Sequence, residues 1–388
     1  MRVAIFTNTY HPTLNGVANC VEAYRTGLES RGHQVFIFAP APDDYDVSLD
    51  HERVSRFPSV PLPGDWDYDI AVPYSRPVLN ALKRVDFDIV HTQHPVWVGV
   101  WGQWFAQWVG LPLVTTVHTE YELYKQLVPL PEQLVDAYLK TRVTTYCNKC
   151  HMITTPVLSA RARLRQQGIT TPIEILPNPI DLSALPVPKP GPVRERLGLK
   201  DRFVMGFIGR LAPEKSLDVV LRAAAMVMAQ VPNAHFLMVG SGAETKPLQA
   251  LARELGVTDR VTFAGAVPHS DVAHYQAALD VFMTASMSET QPLSYTEAMA
   301  VGTPLVAVRA PGAQDMVDHG ENGLLSSPES GPEGLAQQVM ALHDQADLRE
   351  RIIRTARERV QRYDISAVTD KLLEVYERAA SICRLERR

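Results

Sequence analysis

Two glutamates eight positions apart, Glu289 and Glu297, stand in ETQPLSYTEAMAVGTPLVAV, the segment richest in chemistry among the 388 residues. Glu297-Ala298-Met299-Ala300 reads as good helix, with Ser286, Ser288 and Thr290 as candidate N-caps. Gly302 and Pro304 stop that helix, and Leu305 to Val308 reads as a short buried strand. On a continuous helix, carboxylates at i and i+8 lie on one side, a little over two turns apart. Pro292 makes the first turn irregular, so Glu289 is expected on the loop and Glu297 on the helix. A carboxylate near a helix mouth, a second further along and helix-terminal N–H groups beside them suit a polyhydroxylated ligand that carries phosphate. Taken alone, a glutamate pair is solvated helix surface. The flanking cap, loop and strand favour a site.

A second set of charges lies in FIGRLAPEKS. Gly209 ends a predicted strand, and Arg210 and Lys215 stand five apart around Pro213. Two cations on a strand-to-helix turn can neutralise a diphosphate leaving group, Arg through its planar fork and Lys as a point charge. In an arbitrary loop such a pair is surface charge; its place on this turn tips the reading towards a site. The N-terminal counterpart is TYHPTLNGVANCVEAY, where a loop bearing Asn15 and Gly16 runs from the first strand into a helix. Gly16 lets a ligand approach the backbone with no Cβ in the way, beside an electropositive helix N-terminus. The pattern is not G-x-G-x-x-G, which argues against dinucleotide binding. GSGAETKPL (240–248) has the make-up of a phosphate loop, although glycines after a strand are most often plain turn formers.

The elements that must position these groups alternate strand with helix, the sign of parallel sheets covered on both faces. Predicted strands are RVAIFT (2–7), QVFIFAP (34–40), a short one near Val54, DIVHT (88–92), LVTTVH (113–118), MITTP (152–156) and IEILPN (173–178). A proline-rich stretch over 177–200 reads as a linker. A second round follows: FVMGFIG (203–209), HFLMVGSG (235–242), VTFAGAV (261–267) and VFMTAS (281–286), with helices over 17–31, 216–230, 244–255 and near 270–278, then a helical tail. The expected fold is α/β, two doubly wound Rossmann-like domains with a ligand in the cleft at the strands' carboxyl ends. The expected boundaries are 1–182, a linker at 183–200, and 201–365. Net charge is −5, with no global basic field for nucleic acid. The opening MRVAIFT reads as a buried strand rather than a cationic leader, and no apolar run approaches ~20 residues. A cytoplasmic protein is expected, its four cysteines reduced thiols; Cys147 and Cys150 have zinc-like spacing but no second pair.

Three patterns compete with these sites. Asp44-Tyr45-Asp46, Asp65-Trp66-Asp67, Asp67-Tyr68-Asp69 and Asp86-Phe87-Asp88 all spell D-x-D, a spacing that can hold Mg²⁺ or Mn²⁺ in sugar transferases. Four copies in an Asp-rich stretch point to composition, and a cationic clamp makes a metal redundant. Trp97, Trp101, Trp104 and Trp108, at i, i+4, i+7 and i+11, fall on one helix face. That stripe is expected to face the core; exposed, it would suit sugar faces or a lipid interface. Arg161, Arg163 and Arg165 form the densest cationic run and read as a solvated helix face.

Together the NGV loop, HTE at 118–120, GRLAPEKS, GSG, GAV before the 270s helix and ETQPLSYTEAMAVGTPLVA resemble the retaining glycosyltransferases of family 4, which have the GT-B fold. The resemblance spans nearly the whole chain. It implies that Arg210 and Lys215 hold the donor diphosphate, aided by backbone near Gly16, with Asn15 and Gly209 alongside. Glu297 would bind the ribose hydroxyls, Glu289 the hydroxyls of the transferred sugar, and Val267 would lie near the base. His118 would lie near the sugar's C6 hydroxyl and the reaction centre, and Gln291, Pro292 and Leu293 would line the donor. The family pattern usually has Gly where Pro292 stands; Pro has no N–H and restricts Gln291, which changes how this loop can bond the sugar. A final helix, about 366–383, would pack back on the N-terminal domain. His118, Thr119, Tyr121, Glu122 and Tyr124 in HTEYELY resemble the subgroup that glycosylates diacylglycerol. The expectation is a retaining, metal-independent hexosyltransferase without a cofactor, using a UDP-hexose. Its acceptor site is expected over 10–16, 60–75 and 118–130. A diacylglycerol-type lipid at the membrane's cytoplasmic face, reached by weak peripheral contact, is the expected acceptor. The alternatives are a soluble or polysaccharide acceptor, or a nucleotide-sugar epimerase of similar architecture.

Overall fold

The computed structural model describes residues 1–13, 15–42, 45–61, 69–72, 75–118, 132–185, 187–287 and 289–387. The chain divides into two compact units, Met1–Ile180 with Ile365–Arg388, and Asp181–Asp364.

The first unit begins with β1 (Arg2–Phe6), α1 (Gly16–Ser30), β2 (Gln34–Pro40) and β3 (Val54–Phe57). A small antiparallel pair follows, β4 (Ser59–Pro61) with β5 (Asp69–Ala71). Next come α2 (Arg76–Arg84), β6 (Ile89–Thr92), α3 (Val98–Val109) and β7 (Leu113–Thr116). The unit then runs through α4 (Glu132–Cys147), β8 (Met152–Thr155), α5 (Leu158–Gln166) and β9 (Ile173–Ile175). Seven strands form one sheet in the order β3-β2-β1-β6-β7-β8-β9, and each of its pairings is parallel. The apolar runs that read as strands are buried on both faces, as a helix-covered parallel sheet requires.

The second unit opens on α6 (Pro190–Arg196), β10 (Phe203–Ile208), α7 (Leu217–Gln230), β11 (Ala234–Val239) and α8 (Thr245–Glu254). It continues with β12 (Val261–Gly265), α9 (His269–Ala277), β13 (Val281–Thr284), α10 (Leu293–Val301) and β14 (Leu305–Val308). It closes with α11 (Pro311–Met316), β15 (Leu324–Ser326), α12 (Gly331–Asp344) and α13 (Ala346–Arg359). Its sheet, β12-β11-β10-β13-β14-β15, is again parallel throughout. In both sheets the strand order reverses once, between β1 and β6 and between β10 and β13. Outside the carboxyl ends at these reversals, doubly wound sheets leave room for a ligand.

Helix α14 (Ile365–Glu386) returns to the first unit. Gly27 on α1 makes room for it: a Cβ there would lie 2.0 Å from Thr369 Oγ1. Arg31 reaches Asp370 (2.7 Å), and Tyr376 hydroxyl lies 2.8 Å from His91 Nδ1 beneath the sheet. Burial pushes the His91 imidazole down to about 3, so it is neutral in the core.

Two expectations need correcting. Residues 183–200 are not linker throughout, because 190–196 form α6. Pro190 and Pro192 sit in its first turn, where a missing N–H breaks no helical bond. Val193 is buried, and Arg194 anchors the helix on Asp280 (2.9 Å) and the Ala278 carbonyl (3.0 Å). The tryptophan stripe does not face the core. The face of α3 that meets the sheet carries Gly99, Gly102, Phe105 and Ala106; a Cβ on Gly102 would lie 2.6 Å from Thr92 Cγ2 and 2.8 Å from the Phe6 ring. Only a face of small residues seats so close, which turns Trp97, Trp104 and Trp108 outward, while Trp101 packs at the core's edge. No helix among the described residues is long and apolar enough to cross a membrane.

Candidate active site

The carboxyl ends of β10 and β11 are built on glycine. Gly209, Gly240 and Gly242 have φ of 152°, 132° and 156°, a region open to glycine. A Cβ on Gly240 would fall 1.9 Å from the Gly209 carbonyl oxygen, and one on Gly242 2.2 Å from that of Leu211. Backbone therefore packs on backbone, and the Leu211 amide donates to the Ser241 carbonyl (2.9 Å). From this turn the chain enters a short 3-10 turn, Pro213–Lys215, and then α7.

Lys215 reaches across the β10/β13 reversal to Glu289, and the two side chains are 20% and 18% exposed. Ser286, just past β13, donates from its hydroxyl; the Glu289 carboxylate lies at 3.1 Å and the Glu214 carbonyl at 3.2 Å. Arg210 pairs with the Glu214 carboxylate (2.7 Å), its side chain 63% exposed, and so joins the cluster through that residue. Behind Glu289, Gly312 at the start of α11 lets the loop through, since a Cβ there would lie 2.0 Å from the Glu289 carbonyl oxygen. Glu289 is on the loop and Glu297 on α10. Pro292 is the N-cap of α10 and no side chain caps that end, so Leu293 opens the helix there; Gln291 is buried. Glu297 is half-buried; burial pushes its carboxyl up, while nearby His269 pulls it back. Val267 is half-buried on the loop between β12 and α9.

In the first unit the corresponding reversal gathers Asn8, Gln93, His94 and His118. The Gln93 amide donates to the Phe6 carbonyl (2.8 Å), and the Asn8 amide donates to His94 Nδ1 (3.3 Å). The Asn8 side chain accepts from the Val98 amide (3.0 Å) at the head of α3. His118 Nε2 donates to Gln93 Oε1 (2.7 Å). Burial drives His118 down to about 4, a hydrogen bond with Asn178 opposing it, so its ring is neutral near pH 7. His94 is likewise held at about 3 by burial first and by His118 second. His94 Nε2 and Gln93 Nε2 are buried without a hydrogen-bond partner among the described residues. Asn15 is spent locally: it accepts from the Ala18 amide (2.9 Å) as the α1 cap and donates to Thr9 (2.8 Å). Around Gly16 a Cβ would meet nothing within 4 Å.

Residues 193–359 match the family model for group 1 glycosyl transferases, and residues 14–184 match that for glycosyltransferase family 4. The chain belongs to glycosyltransferase family 4. It is 31% identical over 313 residues to an alpha-monoglucosyldiacylglycerol synthase of Streptococcus pneumoniae, covering 79% of this chain and 71% of that one. A GDP-mannose-dependent alpha-mannosyltransferase of Corynebacterium glutamicum is 27% identical over 335 residues, with 84% and 76% covered. Among solved structures, Anabaena HepE in complex with UDP superposes with a TM-score of 0.79 at 21% identity, covering 97% of this chain and 100% of that one. This likeness fixes the fold as GT-B: two Rossmann-like α/β domains, as the sequence led us to expect.

For this family 4 transferase, the second unit brings Lys215, Glu289 and, through Glu214, Arg210 together from positions far apart in sequence. Glu214, Ser286, Gln93 and His94 were not singled out in the sequence. Gln93 and His94 had a readable signal, two polar residues directly after a buried strand at the β1/β6 reversal. Of HTEYELY only His118 lies within the described residues, as does only part of the expected acceptor region. Among the D-x-D copies, Asp86-Phe87-Asp88 lies at the amino ends of the central strands β1 and β6, away from the reversal's carboxyl ends, where Asp88 accepts from the Arg2 amide (2.6 Å) and Asp86 pairs with Arg2 (3.8 Å). The other three fall wholly or partly outside the described residues. Cys147 and Cys150 are buried thiols.

Proposed function

We propose that this family 4 transferase is a retaining hexosyltransferase that moves the sugar of a UDP-hexose to a hydroxyl of a diacylglycerol-type lipid without a metal ion. The observation that carries the reading is the Lys215–Glu289 pair at the β10/β13 reversal, backed by Ser286 and joined to Arg210 through Glu214. A diphosphate entering beside Lys215 takes over its charge from Glu289. That carboxylate is then free to accept from the hydroxyls of the sugar bound next to it. Arg210, exposed, swings from Glu214 to the same phosphates. As the bond to the sugar breaks, negative charge grows on the leaving phosphate, and cations already in place stabilise it there.

Glu297 takes the ribose hydroxyls, and Val267 lies at the base. The open amide end of α10 at Leu293, with Gln291 and Pro292 before it, lines the sugar; in the first unit Asn15 holds the α1 cap so that Gly16 offers bare backbone to a ligand. His118, neutral and tied to Gln93, serves as a hydrogen-bonding wall and not as a proton carrier. The acceptor hydroxyl loses its proton to a donor phosphate oxygen on the face the leaving group vacates, which preserves the anomeric configuration.

The lipid acceptor and the hexose are supported by the kinship with the pneumococcal alpha-monoglucosyldiacylglycerol synthase, while the corynebacterial relative keeps GDP-mannose as the competing donor. Offering purified protein UDP-glucose, UDP-galactose and GDP-mannose, each with diacylglycerol or with soluble sugars, tests the reading by mass spectrometry and by NMR of the anomeric proton. An α-hexosyl diacylglycerol from a UDP donor is expected. Transfer confined to soluble acceptors, or from GDP-mannose alone, would overturn the acceptor or the donor respectively.

A further inference from the structure

Helix α3 has no charged side chain along VGVWGQWFAQWV; its two polar side chains are Gln103, buried and donating to the Tyr146 carbonyl (2.9 Å), and Gln107, exposed. Its inner face packs on the sheet through glycine, alanine and phenylalanine. Its outer face presents Trp97, Trp104 and Trp108, which are 40%, 48% and 64% exposed, with Val100 and Val109 also exposed. The Trp104 and Trp108 rings stack (centroids 5.6 Å apart, 11° between planes), so the outer face is an ordered ridge. An exposed patch this rich in tryptophan and valine marks a surface that meets another apolar phase. Trp97, three residues beyond His94, is held at φ 48°, a strained conformation for a bulky residue that nevertheless leaves its side chain out.

The ridge runs into cationic surface. At the end of α3 a Cβ on Gly110 would lie 2.4 Å from an Arg387 guanidinium nitrogen, so the end of α14 abuts the end of α3. Arg384 and Arg387, one turn apart, are exposed there, and Leu385 between them is 70% exposed. The acidic residue of this turn, Glu386, lies 3.5 Å from His151. Stacked tryptophans bordered by arginine and leucine match the boundary between acyl chains and anionic headgroups, where indole rings settle with one edge apolar and one wet.

We propose that the outer face of α3 and the adjoining end of α14 form a docking surface for an anionic bilayer. A second copy of the chain is the weaker occupant: a two-fold axis through this patch would bring Arg384 and Arg387 against their own counterparts. The proposal rests on the lipid-acceptor reading, and the experiment separates the two. Wild type, W104Q/W108Q and R384Q/R387Q are sedimented with phosphatidylcholine vesicles with and without phosphatidylglycerol. Tryptophan quenching by brominated lipid is recorded on wild type, and oligomeric state is measured by analytical ultracentrifugation.

Wild type binds the phosphatidylglycerol vesicles, is quenched by brominated lipid, and releases as salt rises. W104Q/W108Q loses about tenfold or more in partitioning, the scale for two large apolar side chains. R384Q/R387Q loses the preference for phosphatidylglycerol. Equal binding by the tryptophan variant, no binding or quenching of wild type, or a dimer that W104Q/W108Q dissociates overturns the proposal. A tryptophan variant that does not fold leaves quenching of wild type and the arginine variant to decide. Transfer to a short-chain, water-soluble diacylglycerol is followed in parallel. If wild type binds vesicles but never uses that analogue or vesicle-borne diacylglycerol, the acceptor reading fails and the docking surface stands.

Discussion

Replacing Lys215 by Ala, Glu289 by Gln, and then both, separates what this pair does for the fold from what it does for the reaction. The two side chains are about a fifth exposed, between a buried pair and a surface one. Breaking a fully buried pair costs about 3–5 kcal/mol and a surface pair about 0–1 kcal/mol, so each single change should cost about 2 kcal/mol. After Lys215→Ala the Glu289 carboxylate keeps only the Ser286 hydroxyl (3.1 Å) among the contacts seen at its Oε1. The double variant leaves no orphaned charge, so its loss should be smaller than the two single losses together, with a coupling of about 1 kcal/mol. Turnover should behave differently. Losing a preorganised electrostatic contact costs about a hundredfold in rate, and the double variant still lacks the cation. Calorimetry of the second unit's transition, with initial rates on UDP-hexose, reads both quantities. A double variant that recovers stability and activity together would show that Lys215 only holds the loop, and single variants of wild-type turnover would put the diphosphate clamp elsewhere.

Gly16→Ala should leave stability unchanged or raise it by about 0.4–1 kcal/mol, because nothing lies within 4 Å of the new methyl, yet weaken donor binding about tenfold or more; equal weakening of fold and donor, by thermal shift and titration, would contradict this. Acid should destabilise the first unit. His91 and His94 are held at about 3 and His118 at about 4 against an ordinary value near 6.5, so the unfolded chain takes up more protons in that window. Their contribution is fully present above about pH 6.5 and fades as pH falls towards 4, at about 4 kcal/mol per pH unit for three groups; a melting temperature flat from pH 7 to 5 would show these rings are not buried neutral. Activity should survive EDTA, since the clamp is cationic; complete loss restored by Mn²⁺ would refute that mechanism.

Much of the fold was legible because parallel strands buried on both faces must be written as short apolar runs, and FVMGFI and HFLMV are such runs. The placement of Glu289 on a loop and Glu297 on a helix followed from Pro292 alone. What escaped the sequence has physical reasons. Period identifies the tryptophan face of α3 but not which face turns inward; Gly99 and Gly102 decide that by allowing the closer approach. Prolines at 190 and 192 read as linker although the same residues fit a helix's first turn. The pairing of Lys215 with Glu289, 74 residues apart, exists only because β10 and β13 are neighbours in the sheet. Gln93 and His94 resemble any polar loop until the fold buries them and leaves Nε2 of each without a partner among the described residues.

The central claim, that the nucleotide diphosphate is held at the β10/β13 reversal, is tested most directly by hydrogen exchange with and without saturating UDP. Slowed exchange in 209–216 and in 289–297, lost in Lys215→Ala, is the predicted result. Protection confined to other segments, or unchanged by Lys215→Ala, would contradict the account.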